Sequence, residues 1–161
     1  NPKLIRTRTE DCLKAPICTT TVEEWKGEKM TKTVTSTIDL DSEIISDYFK
    51  FHIDKENKDI VLCNFYDDRL CYVILDAKQN VEFYYPFEEL RQTSDFIFYR
   101  KNGKLTFKNK DASYTIYDKS GNMGIDITYK GKTHQWKGNP ESRRGSLVKL
   151  MKVKYDNVVY Q

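Results

Sequence analysis

The sequence feature that most constrains the fold is a series of short apolar and aromatic blocks separated by turn-forming residues. In the second half of the chain, each separator has the Gly, Asn or Asp chemistry that tight hairpins require. The blocks lie at residues 96–100, 105–108, 113–117, 125–129 and 133–136. The separators are Asn102-Gly103, Asn109-Lys110-Asp111, Ser120-Gly121-Asn122 and Lys130-Gly131-Lys132. This order predicts an antiparallel meander of consecutive hairpins.

Strand-like blocks also fill the first half of the chain, where Thr- and Val-rich stretches come first. They lie at residues 17–25, 30–38, 48–53, 60–66, 70–75 and 81–85. With a closing block at residues 147–155 there are twelve candidate blocks, from which we expect about ten strands in an all-β fold. An up-and-down barrel is favoured over a sandwich, because consecutive hairpins need no long crossover. One short helix is expected near residues 86–92, since Pro86 opens that segment and two glutamates follow it.

The size and composition of the chain predict one globular domain. With 161 residues, 39% hydrophobic and 32% charged, the chain is long enough to bury a continuous core. We therefore interpret residues 1–161 as a single β-rich domain, in which residues 1–16 form a polar N-terminal arm. No window approaches the roughly 18 consecutive apolar residues of a spanning helix, so we expect no membrane span.

Four cysteines form two closely spaced pairs, and each pair predicts a local disulfide. Cys12 and Cys18 bracket a short loop that would tether the N-terminal arm, and Cys63 and Cys71 would face each other if their blocks form a hairpin. Neither spacing suits zinc, so no metal site is expected. Two disulfides indicate a periplasmic or secreted protein. Because the sequence opens with Asn1 rather than Met, we expect that a leading segment has been removed, so that a signal peptide would not be visible.

Charge is distributed unevenly along the chain, although the net charge is only +3. Residues 38–99 contain 14 acidic and 6 basic side chains, whereas residues 100–154 contain 14 basic and 4 acidic ones. In a meander the basic stretch would form one positive face, suited to an acidic partner. Solubility and protection of sheet edges would also explain such lysines. The residues expected to bind a partner are Trp136, Lys137, Arg143, Arg144, Tyr129 and Lys132.

No recognisable catalytic or cofactor-binding signature is present in the sequence. A Ser, Thr or Cys nucleophile needs a nearby base, yet the two histidines, His52 and His134, lie in strand-like blocks outside any known signature. The glycines sit singly in turns, so nucleotide and other cofactors are not expected. Aromatic residues interleaved with the basic ones could stack nucleic acid, but a chain made for an oxidising compartment is not expected to meet it.

These observations favour a binding protein over an enzyme. The leading hypothesis is a non-enzymatic periplasmic or secreted protein that inhibits or neutralises a protein partner, as inhibitors and toxin-immunity proteins do, through a charged surface. The alternative is a lipocalin-like barrel that carries a small apolar or amphipathic ligand, lined by aromatic side chains. The sequence leaves the partner, the functional face and the oligomeric state open.

Overall fold

In the computed structural model, which describes residues 3–14, 16–66, 68–86 and 94–161, the chain is built almost entirely from β-strands. The described part forms thirteen strands and one short α-helix, α1 (Leu147–Leu150). The strands are β1 (Leu4–Lys14), β2 (Ile17–Lys26), β3 (Lys29–Ile38), β4 (Ile45–Ile53), β5 (Lys58–Phe65), β6 (Arg69–Leu75), β7 (Val81–Tyr85), β8 (Phe96–Tyr99), β9 (Lys104–Asn109), β10 (Ala112–Lys119), β11 (Asn122–Tyr129), β12 (Lys132–Lys137) and β13 (Val158–Tyr160).

The strands assemble into three sheets, which we call the N-terminal, central and C-terminal sheets. The N-terminal sheet has the order β1-β2-β3, the central sheet β4-β5-β6-β7, and the C-terminal sheet β12-β11-β10-β9-β8-β13. All neighbouring pairs are antiparallel except β13 with β8, which is parallel. The predicted all-β class is confirmed, but none of the three sheets closes on itself into a barrel.

The predicted meander of residues 96–137 is confirmed as strands β8–β12, and its turns show why. Ser120 and Gly121 both have positive φ, as do Lys130 and Gly131. Two successive residues with positive φ are the mark of a type I′ turn, whose twist matches that of the strands it joins. The turn residues therefore fix where each strand of this sheet begins and ends.

The central and C-terminal sheets face each other across the main hydrophobic core. Alternate residues of each strand point into it, as expected for a pleated sheet with one buried face. A fully buried Leu, Ile or Phe contributes about 1.5–3 kcal/mol relative to an exposed one. The largest fully buried contributors from the two sheets are Phe49, Phe51, Ile53, Ile60, Leu62, Leu70, Tyr72, Phe96, Leu105, Ile116 and Ile125.

The central sheet is buried on its other face as well, against a second and smaller core. Val61, Cys63, Cys71 and Val73 point into this core, where Ile17 at the base of the N-terminal sheet covers them. Burial on both faces explains why β5 and β6 read as nearly continuous apolar runs rather than as alternating ones. The N-terminal sheet beyond this base is largely exposed to solvent.

Most of the predicted polar arm at residues 1–16 is a strand, since residues 4–14 form β1. This strand pairs with β2 from Leu4 opposite Lys26 to Asp11 opposite Thr19. Both of its faces meet solvent, so its sequence lacks the alternation of apolar and polar residues from which a half-buried strand is recognised. The disulfide between Cys12 and Cys18 joins β1 to β2, as predicted.

The predicted closing strand at residues 147–155 is also wrong. Ser146 caps the helix α1 by accepting a hydrogen bond from the amide of Lys149 at 3.1 Å. Leu147 and Leu150, three positions apart, are buried in the main core. The helical spacing buries both leucines, whereas a strand would place them on opposite faces.

Two further predictions concern helices. The helix predicted near residues 86–92 falls mainly on residues 87–93, which lie outside the described residues. Within the described part of the chain, no helix is long and apolar enough to cross a bilayer.

Candidate partner-binding surface

Arg143, one of the predicted partner-binding residues, is engaged inside the protein. Its Nη1 and Nη2 donate hydrogen bonds to the two carboxylate oxygens of Asp118, each at 2.7 Å. The amide of Leu147 donates to the same carboxylate at 3.1 Å. Burial raises the pKa of Asp118, but the hydrogen bonds and the charge of Arg143 outweigh it and hold that pKa below its ordinary value. This pair joins β10 to the segment that leads into α1.

Arg144 acts through its backbone, because its amide and carbonyl exchange hydrogen bonds with those of Lys50 at 2.8 and 2.9 Å. Nearby, the amide of Asn139 donates to the carbonyl of His52 at 2.8 Å. The amide of His52 donates to the hydroxyl of Ser142 at 2.7 Å. The segment that follows β12 therefore runs along the free edge of β4 and ties the C-terminal sheet to the central one.

Trp136 is half-buried and packs against the main core. Its ring lies under the ammonium of Lys58, with 5.5 Å between Nζ and the ring centroid. Lys58 also pairs with Glu82 at 2.8 Å. The indole is therefore in contact with both this core and a charged side chain, which leaves less of it to anchor a partner.

Tyr129 and Lys132 are exposed and lie directly opposite each other at the far end of the β11–β12 hairpin. Lys137 is exposed too, at the other end of β12 and on the opposite face from Trp136. The six predicted residues thus do not form one cluster. Arg143, Arg144 and Trp136 make contacts inside the protein, and the other three are spread over the two ends and two faces of the hairpin.

The structure instead brings exposed lysines together on the outer face of the C-terminal sheet. In β9 the buried Leu105 and Phe107 alternate with exposed Lys104 and Lys108. The same alternation places further exposed lysines on β10 and β12. We call this surface the basic face and define it by Lys104, Lys108, Lys119 and Lys137. Among the strand positions on this face, all of them described, Asp126 is the single carboxylate.

These four lysines differ from most of the basic residues on the central sheet, which are paired with carboxylates. Lys50 lies 3.8 Å from Asp59, and Arg69 lies 3.5 Å from Asp95. Within the described residues, none of the four lysines of the basic face has a carboxylate oxygen within 4 Å. No direct ion pair with a described residue therefore neutralises their positive charge.

An open groove of about 600 Å³ lies on the basic face beside Lys137. Tyr117 lies across Gly124, and a Cβ atom at Gly124 would come within 2.8 Å of the ring carbon that carries its hydroxyl. Glycine at this position therefore lets the tyrosine lie along the sheet. Asp126 lines the same groove, and burial raises its pKa while the nearby Lys104 opposes that rise. The groove combines an aromatic ring with both signs of charge.

His52 belongs to a polar network that the sequence reasoning did not identify. Its Nδ1 lies 2.8 Å from Oδ1 of Asp59, whose Oδ2 accepts a hydrogen bond from Gln79 at 2.7 Å. A His–Asp pair can support a nucleophile, yet the hydroxyl of Ser142 contacts the backbone of His52 rather than its ring. Among the described residues, the ring of His52 is therefore oriented by a carboxylate, but no hydroxyl or thiol is hydrogen-bonded to it.

The predicted Cys63–Cys71 disulfide is not formed, and both residues are free thiols. They do lie directly opposite each other on β5 and β6, as the hairpin argument expected. Both are buried in the second core, and the hydrogen bond with Cys71, burial and the charge of Cys71 raise the pKa of the Cys63 thiol. These thiols are therefore apolar core residues that are protected from solvent.

Within the described part of the chain, a group of three side chains of metal-ligand type occurs where Glu10 lies beside Cys12 and Cys18. The two sulfur atoms are bonded to each other, so they do not offer the thiolates that a zinc site requires. This cluster is therefore interpreted as the base of the β1–β2 hairpin.

Comparison of the chain with protein-family models, with curated proteins and with solved structures finds no match.

Proposed function

We propose that this chain is a non-enzymatic binding protein that uses the basic face to dock on, and so inhibit or neutralise, an acidic protein partner. The observation that carries the proposal is the group of four unpaired lysines on one exposed sheet face with a single carboxylate among them. A surface of one sign steers an oppositely charged partner and favours it over others. The partly buried Tyr117 beside Lys137 would supply the aromatic anchor that such interfaces need.

The arrangement of the layers supports placing the interface on the C-terminal sheet. The outer face of the central sheet is occupied by the second core and by the base of the N-terminal sheet. The outer face of the C-terminal sheet has no such cover among the described residues. A sheet held on its inner side by a packed core offers a rigid platform, which lowers the entropy cost of binding.

The proposal includes an oxidising compartment, periplasmic or extracellular. The Cys12–Cys18 disulfide fits this location. The two buried thiols fit it as well if the second core shields them from oxidants.

The carrier alternative has less support in the packing of the interior. The aromatic side chains that would line a ligand cavity contact one another instead. Phe49 and Phe51 have ring centroids 5.3 Å apart, and Tyr85 and Phe96 are likewise 5.3 Å apart. Tyr85 also stacks on Phe107 at 4.3 Å. These contacts favour a filled core over a binding cavity.

The first experiment is native mass spectrometry of the protein isolated from the envelope or secreted fraction of its source. We expect a co-purifying protein at fixed stoichiometry. The test variant carries Lys104→Glu, Lys108→Glu, Lys119→Glu and Lys137→Glu, and it should lose that partner. The control variant has the same charge change at exposed lysines elsewhere, Lys26, Lys29, Lys32 and Lys55, and it should keep the partner.

Three other outcomes would count against the proposal. A test variant that retains the partner as well as the control does would remove the basic face from the interaction. A retained small molecule would support the carrier instead. Tight binding of a single-stranded oligonucleotide, measured by fluorescence polarisation and lost in the test variant, would assign the basic face to nucleic acid.

A further inference from the structure

Among the described strands, one hydrogen-bonding edge of β1 has no partner. The N-terminal sheet has the order β1-β2-β3, so β2 is the one ladder partner of β1 among the described strands. β1 is 11 residues long, which is about twice the usual strand length. Every residue of it whose side chain is described is exposed. Such an edge offers a row of backbone donors and acceptors to another strand.

Strand β1 is regular along most of its length. The pairing of β1 with β2 runs without interruption from Leu4 to Asp11, and the register shifts only beyond Asp11. The disulfide between Cys12 and Cys18 then fixes the base of the hairpin. Proline and bulges, which commonly protect an exposed edge, are absent from residues 4–11.

The charges of β1 are ordered so that the strand is complementary to itself. Arginines occupy positions 6 and 8, and acidic residues occupy positions 10 and 11. If two copies pair antiparallel about a two-fold axis at Thr9, Arg8 of each copy lies opposite Glu10 of the other. Within one chain Arg8 and Glu10 are 3.9 Å apart and both largely exposed, so little holds them to each other.

We propose that two copies of this chain associate through antiparallel pairing of their β1 strands, centred on Thr9. The pairing joins two three-stranded sheets into one six-stranded sheet with no unpaired β1 edge. The two-fold axis makes each Arg8–Glu10 contact occur twice, since a symmetric interface repeats every contact. Charges placed only to protect the edge would need no such order, because residues of a single charge sign, such as lysines, would protect it equally well.

A charge-swap experiment tests the pairing directly. Arg8→Glu and Glu10→Arg each place like charges opposite each other at two points, and the double variant restores opposite charges in reversed order. Sedimentation velocity over a concentration series should show a dimer for the unmodified chain. Each single variant should raise the dimer Kd about tenfold or more, and the double variant should return it to within about threefold of the original.

A cross-linking experiment tests the register separately from the strength of association. Thr9→Cys brings two new thiols together on the two-fold axis at cross-strand distance, so mild oxidation should give a covalent dimer. Thr7→Cys on the same strand is the control and should stay monomeric on non-reducing gels, because its symmetry mates lie several residues apart. Circular dichroism of each variant confirms folding.

A sedimenting monomer at about 100 μM, a concentration at which even weak symmetric dimers form, would overturn the proposal. Equal cross-linking of Thr7→Cys and Thr9→Cys would reject the register. A dimer that persists in both single charge variants would place the interface elsewhere on the chain. These results do not depend on the basic face, whose lysines lie on a different sheet.

Discussion

Arg143 and Asp118 form a two-point ion pair, with both guanidinium–carboxylate distances at 2.7 Å, between the C-terminal sheet and the segment leading into α1. The carboxylate is nearly buried, whereas the guanidinium keeps 28% of its side-chain surface exposed. A pair in this setting is stronger than a surface salt bridge, since its geometry is fixed and its acceptor is desolvated. Arginine is a residue type that is common at binding interfaces, but this ion pair gives Arg143 a structural role.

Replacing one partner of this pair should destabilise the fold. Asp118→Asn leaves Arg143 without its counter-charge, and we expect a loss of about 1–3 kcal/mol in the free energy of unfolding, reduced from the fully buried case by solvent screening at the guanidinium. Urea denaturation at neutral pH measures it. The exposed neighbour Arg144 is the control, and Arg144→Ala should change stability by less than about 0.5 kcal/mol. Equal effects of Asp118→Asn and Arg144→Ala would contradict the structural role of the ion pair.

The same pair predicts how stability depends on pH. The pKa of Asp118 in the folded state lies below its unfolded value of about 3.9. The stability that Asp118 contributes is therefore fully present above the unfolded value and is lost as the pH falls through the folded-state pKa. The difference in unfolding free energy between the unmodified chain and Asp118→Asn should therefore be constant from about pH 7 to 5 and shrink below about pH 4. A difference that grows on acidification would contradict this assignment.

Asn157 provides a second prediction, because its side chain takes the place of a strand partner. Its Oδ1 accepts from the amide of Leu70 at 3.0 Å, and its Nδ2 donates to the carbonyl of Leu70 at 2.9 Å and to Asp95 at 3.2 Å. Asn157→Ala would leave buried backbone groups without partners, and we expect a loss of about 2–4 kcal/mol. Thermal and urea unfolding measure it, with the exposed Lys154→Ala as a neutral control.

Substitution of Tyr72 should increase stability, in contrast to the substitutions above. Its hydroxyl is fully buried and has no hydrogen-bond partner among the described residues, and burial raises its pKa well above the ordinary value. The ring packs against Phe107 with centroids 5.0 Å apart. Tyr72→Phe keeps this packing and removes the unsatisfied group, so the variant should be more stable by about 0.5–2 kcal/mol. A clear loss of stability would indicate that the hydroxyl has a partner.

Thiol counting distinguishes the two possible states of Cys63 and Cys71. We expect two reactive thiols per chain in denaturant without reductant, and almost none under native conditions, because both side chains are buried. The Cys12–Cys18 disulfide should account for the other two cysteines. Absence of free thiols in denaturant would restore the second disulfide that the sequence predicted.

The strands whose boundaries follow local chemistry could be predicted from the sequence. The turns at Ser120-Gly121 and Lys130-Gly131 set the register of β10–β12 because their backbone requires positive φ, a preference that belongs to a few neighbouring residues. The same holds for the cross-strand position of Cys63 and Cys71. The separation of acidic and basic residues between the two halves of the chain could also be predicted from the sequence, because each sheet is built from consecutive strands.

Only the tertiary structure decided which side chains are free to act. Arg143 and Trp136 are of residue types that are common at binding interfaces. Arg143, however, is paired with a carboxylate 25 positions away, and Trp136 packs against the main core. Similarly, β1 carries no apolar alternation and becomes a strand because β2 offers it a ladder. Turn chemistry is local and can be read from neighbours, whereas pairing, burial and accessibility depend on residues that are distant in sequence.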